Sequence, residues 1–232
     1  MKTIIWTKLN TTSFKYELET DYRWLNERIK IMNEITIPSI RAQTDKNFLW
    51  VIEVREETFD HVKERLEVFE QMYLMKTKTK KLDDGSRATQ KEEIVREYVD
   101  DDILYMVRLN SDDMYRKTFI EDLHSLDTAG AEAVIIPKGY FWYMKEKVVV
   151  KLEKPSPPFY VLVYDKQKYL EGFRYSIPGG HRKVKNLKHI KMPGRQWVWV
   201  IHDINNKILR IGKYPSYKKY KKSDILVLKE FR

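Results

Sequence analysis

Two adjacent carboxylates, Asp112 and Asp113, follow a mostly apolar run from Ile103 to Leu109. Such a run predicts a buried strand, so the acids would emerge at its carboxyl end. In open α/β sheets, ligands bind in the crevice outside the carboxyl ends of the strands. A divalent cation held by one or two carboxylates and by substrate phosphate oxygens is a usual magnesium arrangement. The pattern therefore predicts a metal site for a phosphate-bearing substrate, although aspartates here would equally suit the N-terminus of a following helix.

Two other segments have residue types that suit phosphate binding. Residues Gly85, Ser86 and Arg87 precede a predicted helix, where backbone amides and a guanidinium can hold an anion, but an ordinary turn before a helix explains them equally well. The segment 178–183 contains two glycines and two cations. It is either a mobile loop that closes on phosphate or a solvated turn.

Composition restricts the class of protein. The 232 residues are 42% hydrophobic and 13% aromatic, which is enough for the core of one fairly large domain. No apolar run approaches the ~20 residues of a membrane span, and residues 1–6 are too short and too soon polar for a signal peptide. We therefore expect a cytoplasmic protein. The sequence has no cysteine, which excludes thiolate zinc sites and cysteine nucleophiles and leaves only oxygen or imidazole ligands for any metal.

The formal net charge of +10 is concentrated in the C-terminal third. Residues 181–222 contain thirteen Lys or Arg residues and one acid, Asp203. Such a surface attracts nucleic acid, anionic lipid, an acidic polymer or a nucleotide diphosphate, and charge alone does not choose among them. Residues 213–222, with five lysines and three tyrosines, predict a flexible segment that would also suit nucleic acid. No helix-turn-helix, zinc-finger or RNP pattern supports that alternative.

Hydrophobic periodicity predicts an α/β protein with a largely parallel sheet and right-handed crossovers. Strands are expected at 3–6, 48–54, 103–109 and 133–136, and helices at 22–35, from 37, at 59–74, from 89 and at 116–126. Asp21 is the expected N-cap of the first helix, and Thr89 with Glu92 forms a capping-box pattern. Later runs at 140–144, 148–152, 159–164 and 197–202 predict a β-rich second half. We predict one domain over residues 1–212, followed by a basic segment, 213–232.

Several stretches resemble the A-type-fold glycosyltransferases. The segment from Pro38 to Phe48 is similar to the "PSL-x-AQT-x-x-x-F" segment before the second strand of that family. The segment from Arg108 to Met114 is similar to the "RLD-x-DD-A" form of its DxD motif. More narrowly, the chain resembles the bacterial "putative rhamnosyl transferase" family through short stretches at 6–10, 137–140, 157–159 and 197–205.

This resemblance implies a single GT-A-like, Rossmann-like domain and a metal-dependent glycosyltransferase. The implied reaction moves a sugar, with rhamnose as a candidate, from a nucleotide-diphosphate donor to a cell-surface polysaccharide or a lipid-linked acceptor. The basic C-terminal third would then face an anionic acceptor or the inner face of the membrane. A nucleic-acid-binding protein, or an inactive family member that binds a sugar or nucleotide without turnover, remains an alternative.

The resemblance also implies residue roles. Mn²⁺ or Mg²⁺ would stabilise the departing diphosphate as a Lewis acid. Its ligands would be Asp112, Asp113 and His202, although a histidine that ends an apolar run is as often merely structural. Donor contacts would come from Thr7, Lys8, Asn10, Arg87, Arg108, Asn110 and Asn205.

Two positions depart from the family pattern, and the catalytic base is left open. Asn110 stands where the family has the first carboxylate of the DxD motif, and Lys8 stands where the family tends to have arginine. An inverting enzyme needs a general base within reach of the acceptor hydroxyl. Asp165 and His181 are the candidates, with Glu171 as a third.

Overall fold

The structure is a computed structural model that describes residues 1–11, 16–77, 86–205, 218 and 220–232, without the side chains of residues 16, 86 and 87. Among these residues, no helix combines the length and hydropathy required to cross a membrane. The strands are β1 (Thr3–Lys8), β2 (Phe48–Arg55), β3 (Met72–Thr77), β4 (Ile103–Arg108), β5 (Met114–Tyr115), β6 (Ala133–Ile135), β7 (Lys138–Tyr143), β8 (Val148–Glu153), β9 (Tyr160–Asp165), β10 (His189–Lys191), β11 (Arg195–Ile201) and β12 (Lys222–Ser223). The α-helices are α1 (Tyr16–Glu19), α2 (Tyr22–Ile31), α3 (Ile37–Arg41), α4 (Phe59–Arg65), α5 (Ser86–Tyr98), α6 (Phe119–His124) and α7 (Lys166–Leu170).

Seven strands form a central sheet in the order β10-β6-β9-β4-β1-β2-β3. Strands β3, β2, β1 and β4 run parallel to one another, and β10 runs parallel to β6. Only β9 is reversed, since it pairs antiparallel with both β4 and β6. The predicted mostly parallel α/β sheet is therefore confirmed. The residues that follow β1, β2 and β4 share one edge of this sheet.

Helix α2 packs a mostly apolar face against the core. Its N-cap is Asp21, as predicted, and the Asp21 carboxylate accepts the backbone N–H of Arg23 at 2.8 Å. The buried face includes Leu25 and Ile29 at helical spacing, but also Arg28. A π-helical turn, Met32–Thr36, joins α2 to α3. A buried arginine in such a face needs a polar partner, because an unpaired buried charge is costly.

A second sheet of five strands has the order β12-β8-β7-β11-β5. Strand β5 begins directly after Asp113 and pairs antiparallel with β11. The segment that leaves β4 therefore crosses from the central sheet to the second sheet. Gly139 on β7 is required there, because a Cβ at this position would lie 2.1 Å from the ring of Trp197. That ring also stacks on Phe159, with centroids 4.4 Å apart.

The C-terminal residues that the structure describes pack on the second sheet. Strand β12 pairs with β8, and the 3₁₀ helix Ile225–Phe231 buries Leu228 and Phe231. Most of the segment predicted to be flexible, residues 213–217 and 219, lies outside the described residues.

Two predicted elements were wrong. The helix predicted from Phe59 to Leu74 ends at Arg65, and Met72–Thr77 forms β3 at the edge of the central sheet. Phe69 and Tyr73 have helical spacing, but backbone pairing with β2 overrides this local pattern. Helix α5 begins at Ser86, so Thr89 lies inside the helix rather than at its cap. Residues 78–85, between β3 and α5 in the chain, lie outside the described residues.

Candidate functional site

A cavity of about 350 Å³ lies beside the carboxyl ends of β1 and β4. Its lining includes the rings of Trp6 and Tyr160 and the amide of Asn110. Every lining residue belongs to the described part of the chain, and none of them is an acid. We call this space the cation cavity after its four charged lining side chains: Lys8, Lys91, Arg108 and Arg174.

Buried or half-buried carboxylates hold two of these cations in place. The Lys91 Nζ lies 3.1 Å from an oxygen of Glu53 and 4.4 Å from the centroid of the Trp6 ring. Arg174 donates to Glu92 at 2.9 Å. Sequence reasoning identified neither cation, because helix α5 and the segment after α7 reach the cavity only through the tertiary fold.

Glu53 is fully buried at the carboxyl half of β2. Its carboxylate accepts the indole N–H of Trp6 and, at 3.0 Å, the hydroxyl of Thr11. Together with Lys91, these donors compensate for the loss of water around the carboxylate. Sequence reasoning missed Glu53 too, although one acid in an otherwise apolar strand was a usable signal.

A chain of hydrogen bonds fixes the wall of the cavity at the end of β4. Arg108 donates to the Pro158 carbonyl at 2.5 Å and to the Asn110 side-chain oxygen at 2.9 Å. The Asn110 amide donates in turn to Asp113 at 2.6 Å, and the other oxygen of Asp113 accepts the Val200 N–H at 3.0 Å. The second sheet thus supports the position of the Arg108 guanidinium.

Asp112 lies in a separate, buried group that we call the carboxylate cluster. Its oxygen Oδ2 is 2.7 Å from Arg28 Nη1, 3.0 Å from His202 Nε2 and 2.8 Å from Asn205 Nδ2. Arg28 also donates to the Ser111 hydroxyl. The sequence predicted that Asp112, His202 and Asn205 would come together, and the structure brings them into contact. The sequence did not predict that Arg28 would join this group. The usable signal was the position of this arginine within the apolar stripe of α2.

The pKa values of the two neighbouring carboxyl groups are shifted in opposite directions. Burial alone would raise the pKa of Asp112, but the Arg28 guanidinium and His202 outweigh burial and hold that pKa well below its usual range. Burial, together with the negative charge of Asp112, raises the pKa of Asp113 well above its usual range. The surroundings therefore favour the ionised form of Asp112 more strongly than that of Asp113.

The predicted metal ligands do not fit a divalent ion in this arrangement. One oxygen of Asp112 already accepts three donors, one of them a guanidinium. His202 Nε2 lies 3.0 Å from that carboxylate oxygen and 3.1 Å from the Asn205 amide nitrogen, so it already has two protein partners. Both oxygens of Asp113 accept hydrogen bonds. Within the described residues, no group of three or more His, Asp or Glu side chains is arranged to hold a metal ion.

Two predicted donor contacts at the end of β1 are occupied by the protein itself. Thr7 is fully buried and accepts the indole N–H of Trp50 at 2.9 Å. The Asn10 amide donates to the Glu19 carbonyl at 3.0 Å and the Thr58 hydroxyl at 2.8 Å, and its oxygen accepts a backbone N–H from Arg55. Lys8, by contrast, is exposed and lines the cavity.

None of the candidate bases is among the residues that line the cavity. Asp165 pairs in register with Ile103, because β9 is antiparallel to β4, so it lies at the opposite end of β4, about 17 Å from Arg108 at 3.3 Å per residue. There it caps α7 by accepting the Lys168 N–H at 2.9 Å. Glu171 accepts from the Gln167 amide at 3.0 Å.

The two predicted phosphate-binding segments have different outcomes. His181 lies in the 3₁₀ helix Gly180–Asn186, which buries Val184. His181 is not among the residues that line the cation cavity. The side chain of Arg87, and Gly85 as a whole, lie outside the described residues.

Comparison with known proteins identifies the family. Residues 10–163, more than half of the chain, match the family model described as "Putative rhamnosyl transferase". The chain belongs to this family. The family and the mostly parallel central sheet together confirm the GT-A-like α/β class expected from the sequence. No curated protein matches the chain.

Solved structures of low sequence identity are similar to the chain. One is S. aureus TarS 1–349 in complex with UDP-GlcNAc, with 12% identity, a TM-score of 0.49 and coverage of 93% of this chain and 62% of TarS 1–349. Another, from Desulfovibrio desulfuricans, is described as a putative nucleotide-diphospho-sugar transferase, with 15% identity, a TM-score of 0.40 and coverage of 99% and 95%. A Mycobacterium tuberculosis protein in complex with manganese has 7% identity, a TM-score of 0.41 and coverage of 89% and 94%. The chain thus spans about three fifths of the length of TarS 1–349.

Proposed function

We propose that the protein is a glycosyltransferase that binds a nucleotide-diphosphate sugar in the cation cavity. The observation that carries this proposal is the cavity itself, which groups four cations in a chain of this family, two of them, Lys8 and Arg108, at the carboxyl ends of the parallel strands β1 and β4. Its volume of about 350 Å³ falls within the range of small-molecule sites. This is also the edge of an α/β sheet at which ligands usually bind.

The cavity chemistry suits a departing diphosphate. Glycosyl transfer breaks the bond between the anomeric carbon and a phosphate oxygen, so negative charge grows on the diphosphate. A cation held by hydrogen bonds, as Arg108 is, stabilises that charge without reorganising during the reaction. The half-buried ring of Tyr160 offers an apolar face to the base or the sugar of the donor.

The family description favours rhamnose as the transferred sugar, and we propose a carbohydrate or lipid-linked acceptor. The segment from the 3₁₀ helix Gly180–Asn186 to β10 has a positive surface, since it exposes four lysines: Lys183, Lys185, Lys188 and Lys191. Such a surface would attract an anionic acceptor or an anionic membrane.

One observation favours a second candidate function, a family member that binds the donor without turnover. Among the lining residues, all of which the structure describes, none carries a carboxylate that could take the proton of an acceptor hydroxyl. Detection of a glycosylated product separates the two functions, because both predict donor binding.

The test is a panel of UDP, dTDP and GDP sugars, scored for binding by calorimetry and for nucleotide release and product formation. Lys8→Met should weaken binding of the preferred donor about tenfold, as expected for one charge-assisted contact. The matched control Lys63→Met removes an exposed lysine on α4 and should leave binding unchanged. Equal binding by both variants would contradict the assignment of the donor to this cavity.

A further inference from the structure

We propose that the cation cavity neutralises the donor diphosphate without a divalent ion, and that Asp112 and Asp113 are positioning residues for the cavity wall. This inference rests on the proposed function, since it concerns how the same cavity holds the donor. Two arginines suggest it. Arg28 is buried and bound to a carboxylate, whereas Arg108 lines the cavity and donates to neutral partners.

The carboxylate cluster contains a carboxylate and a guanidinium whose charges offset each other. Asp112 and Arg28 carry opposite unit charges, and their side chains are 10% and 5% exposed. A divalent ion at Asp112 would add two positive charges beside a buried guanidinium, and this repulsion is only weakly screened. Displacement of Arg28 would leave a buried guanidinium without its counter-charge, which is strongly unfavourable. The carboxylate of Asp112 is thus already neutralised by the protein.

Asp113 is connected to the cavity by hydrogen bonds through Asn110. Asp113 fixes the Asn110 amide, and the Asn110 oxygen in turn accepts from Arg108. The main-chain carbonyl of Arg108 is also held, because it accepts the Tyr115 hydroxyl at 2.7 Å. An asparagine is suited to position 110, since it donates to a carboxylate and accepts from a guanidinium at the same time. An aspartate there would place a third carboxylate beside Asp112 and Asp113.

A diphosphate in the cation cavity would meet an arginine, Arg108, whose own hydrogen-bond partners are uncharged. Neither hydrogen-bond partner of Arg108, the Pro158 carbonyl and the Asn110 amide oxygen, carries a charge. In the parallel pairing of β1 with β4, Trp6 is level with Arg108, and Lys8 lies two residues further on the same face. A diphosphate between Lys8 and Arg108 therefore contacts two cations at once. Guanidinium groups bind phosphate oxygens in a bidentate manner, as a metal ion also can.

The main experiment measures the affinity of the full chain for UDP, dTDP and GDP by calorimetry, in chelator and in excess Mn²⁺ or Mg²⁺. For the nucleotide that binds most tightly, we expect affinities that differ by less than about twofold between the two conditions. Asp112→Asn should lower the Tm and leave this ratio near one. A gain of about tenfold or more with metal, lost in Asp112→Asn, would overturn the inference and leave the proposed function standing.

A second experiment tests the role of Arg108 in chelator. Arg108→Gln should weaken nucleotide binding about tenfold or more, as expected for loss of a charge-assisted contact. The matched control is Arg65→Gln on α4, an exposed arginine bound to Glu64, which should bind like the wild type. Equal affinity of the two variants would overturn the inference.

A double-mutant cycle separates positioning by Asp113 from a general effect on stability. Asp113→Asn should weaken binding severalfold in the wild type and by less than about twofold in the Arg108→Gln background. All affinities are measured below the Tm of each variant. Additive effects would show that Asp113 does not act through Arg108. If none of the three nucleotides binds in either condition, the proposed function fails together with this inference.

Discussion

The carboxylate cluster and the cation cavity lie side by side at one edge of the sheet and use the same residue types in opposite ways. In the carboxylate cluster, Arg28 and Asp112 form an ion pair at 2.7 Å between side chains that are only 5% and 10% exposed. In the cation cavity, Arg108 and Lys8 line an open volume. This difference indicates that the proximity of aspartates to a sheet edge does not by itself define a metal site. What matters is whether the tertiary fold has already supplied their counter-charge.

This difference predicts a separation of effects. Substitutions in the carboxylate cluster should change the free energy of unfolding, because its members join α2, the end of β4 and the segment after β11. Substitutions of the more exposed cations of the cavity, Lys8 and Arg174, should change affinity for nucleotides and leave stability nearly constant, whereas Lys91 also compensates the buried Glu53.

The largest expected effect is that of Arg28→Met. This change leaves Asp112 buried without its counter-charge, so we expect a loss of about 3–5 kcal/mol in the free energy of unfolding, measured with urea. The double variant Arg28→Met with Asp112→Leu should recover most of this loss, since both buried charges are then absent. A loss below about 1 kcal/mol for Arg28→Met would remove the distinction between the two regions.

The next effect is that of Arg174→Gln in the cation cavity. Arg174 and Glu92 are partly exposed, at 33% and 24%, so their ion pair should contribute less than about 1 kcal/mol to stability. Nucleotide affinity should fall about fivefold, measured by calorimetry, because one of the four cavity cations is lost. Glu92→Gln is the matched control, since it breaks the same ion pair but keeps the cation. Equal loss of affinity in Arg174→Gln and Glu92→Gln would mean that the ion pair supports the shape of the cavity and that the charge of Arg174 does not contact the nucleotide.

Salt should sharpen the comparison further. The Debye length falls from about 30 Å at 0.01 M to about 8 Å at 0.15 M, which screens charges that face solvent much more than buried pairs. Nucleotide affinity should therefore fall by a fewfold across this range. The coupling energy between Arg28 and Asp112 from a double-mutant cycle should stay constant. A salt-dependent coupling energy would indicate that the cluster is open to solvent.

The smallest effect concerns a partly exposed pair elsewhere in the fold, Asp45 with His124, whose side chains meet at 2.7 Å. Burial would raise the pKa of Asp45, but hydrogen bonds from the Asn47 N–H and from His124 outweigh it and lower that pKa. A lowered folded pKa adds stability above the unfolded value, and this stability is lost as the pH falls through the folded pKa. Asp45→Asn should therefore cost about 1 kcal/mol at neutral pH and nothing at strongly acidic pH. If the difference in the free energy of unfolding between the wild type and Asp45→Asn did not change with pH, this prediction would be wrong.

Local pattern was sufficient for much of the fold. The apolar runs placed β1, β2 and β4, and Asp21 marked the start of α2, because strand burial and helix capping depend on neighbouring residues. The helix predicted across Phe69 and Tyr73 failed, since an edge strand is decided by its partner and not by spacing. Asp165 was expected near the site on the basis of its position after a strand. The antiparallel direction of β9, which no local pattern encodes, moved it to the far end of β4.

By itself, the sequence determined that Asp112 and Asp113 follow a buried strand at the ligand-binding edge of an α/β sheet, and that His202 and Asn205 end another buried strand. Only the tertiary structure decided that Arg28, 84 residues earlier in the chain, binds Asp112, and that Asn110 connects Asp113 to Arg108. The physical reason is that the charge state and partners of a buried carboxylate depend on which distant side chains the packing brings within hydrogen-bond distance. Hydrophobic periodicity specifies which face of an element is buried, but not which charged group it meets there.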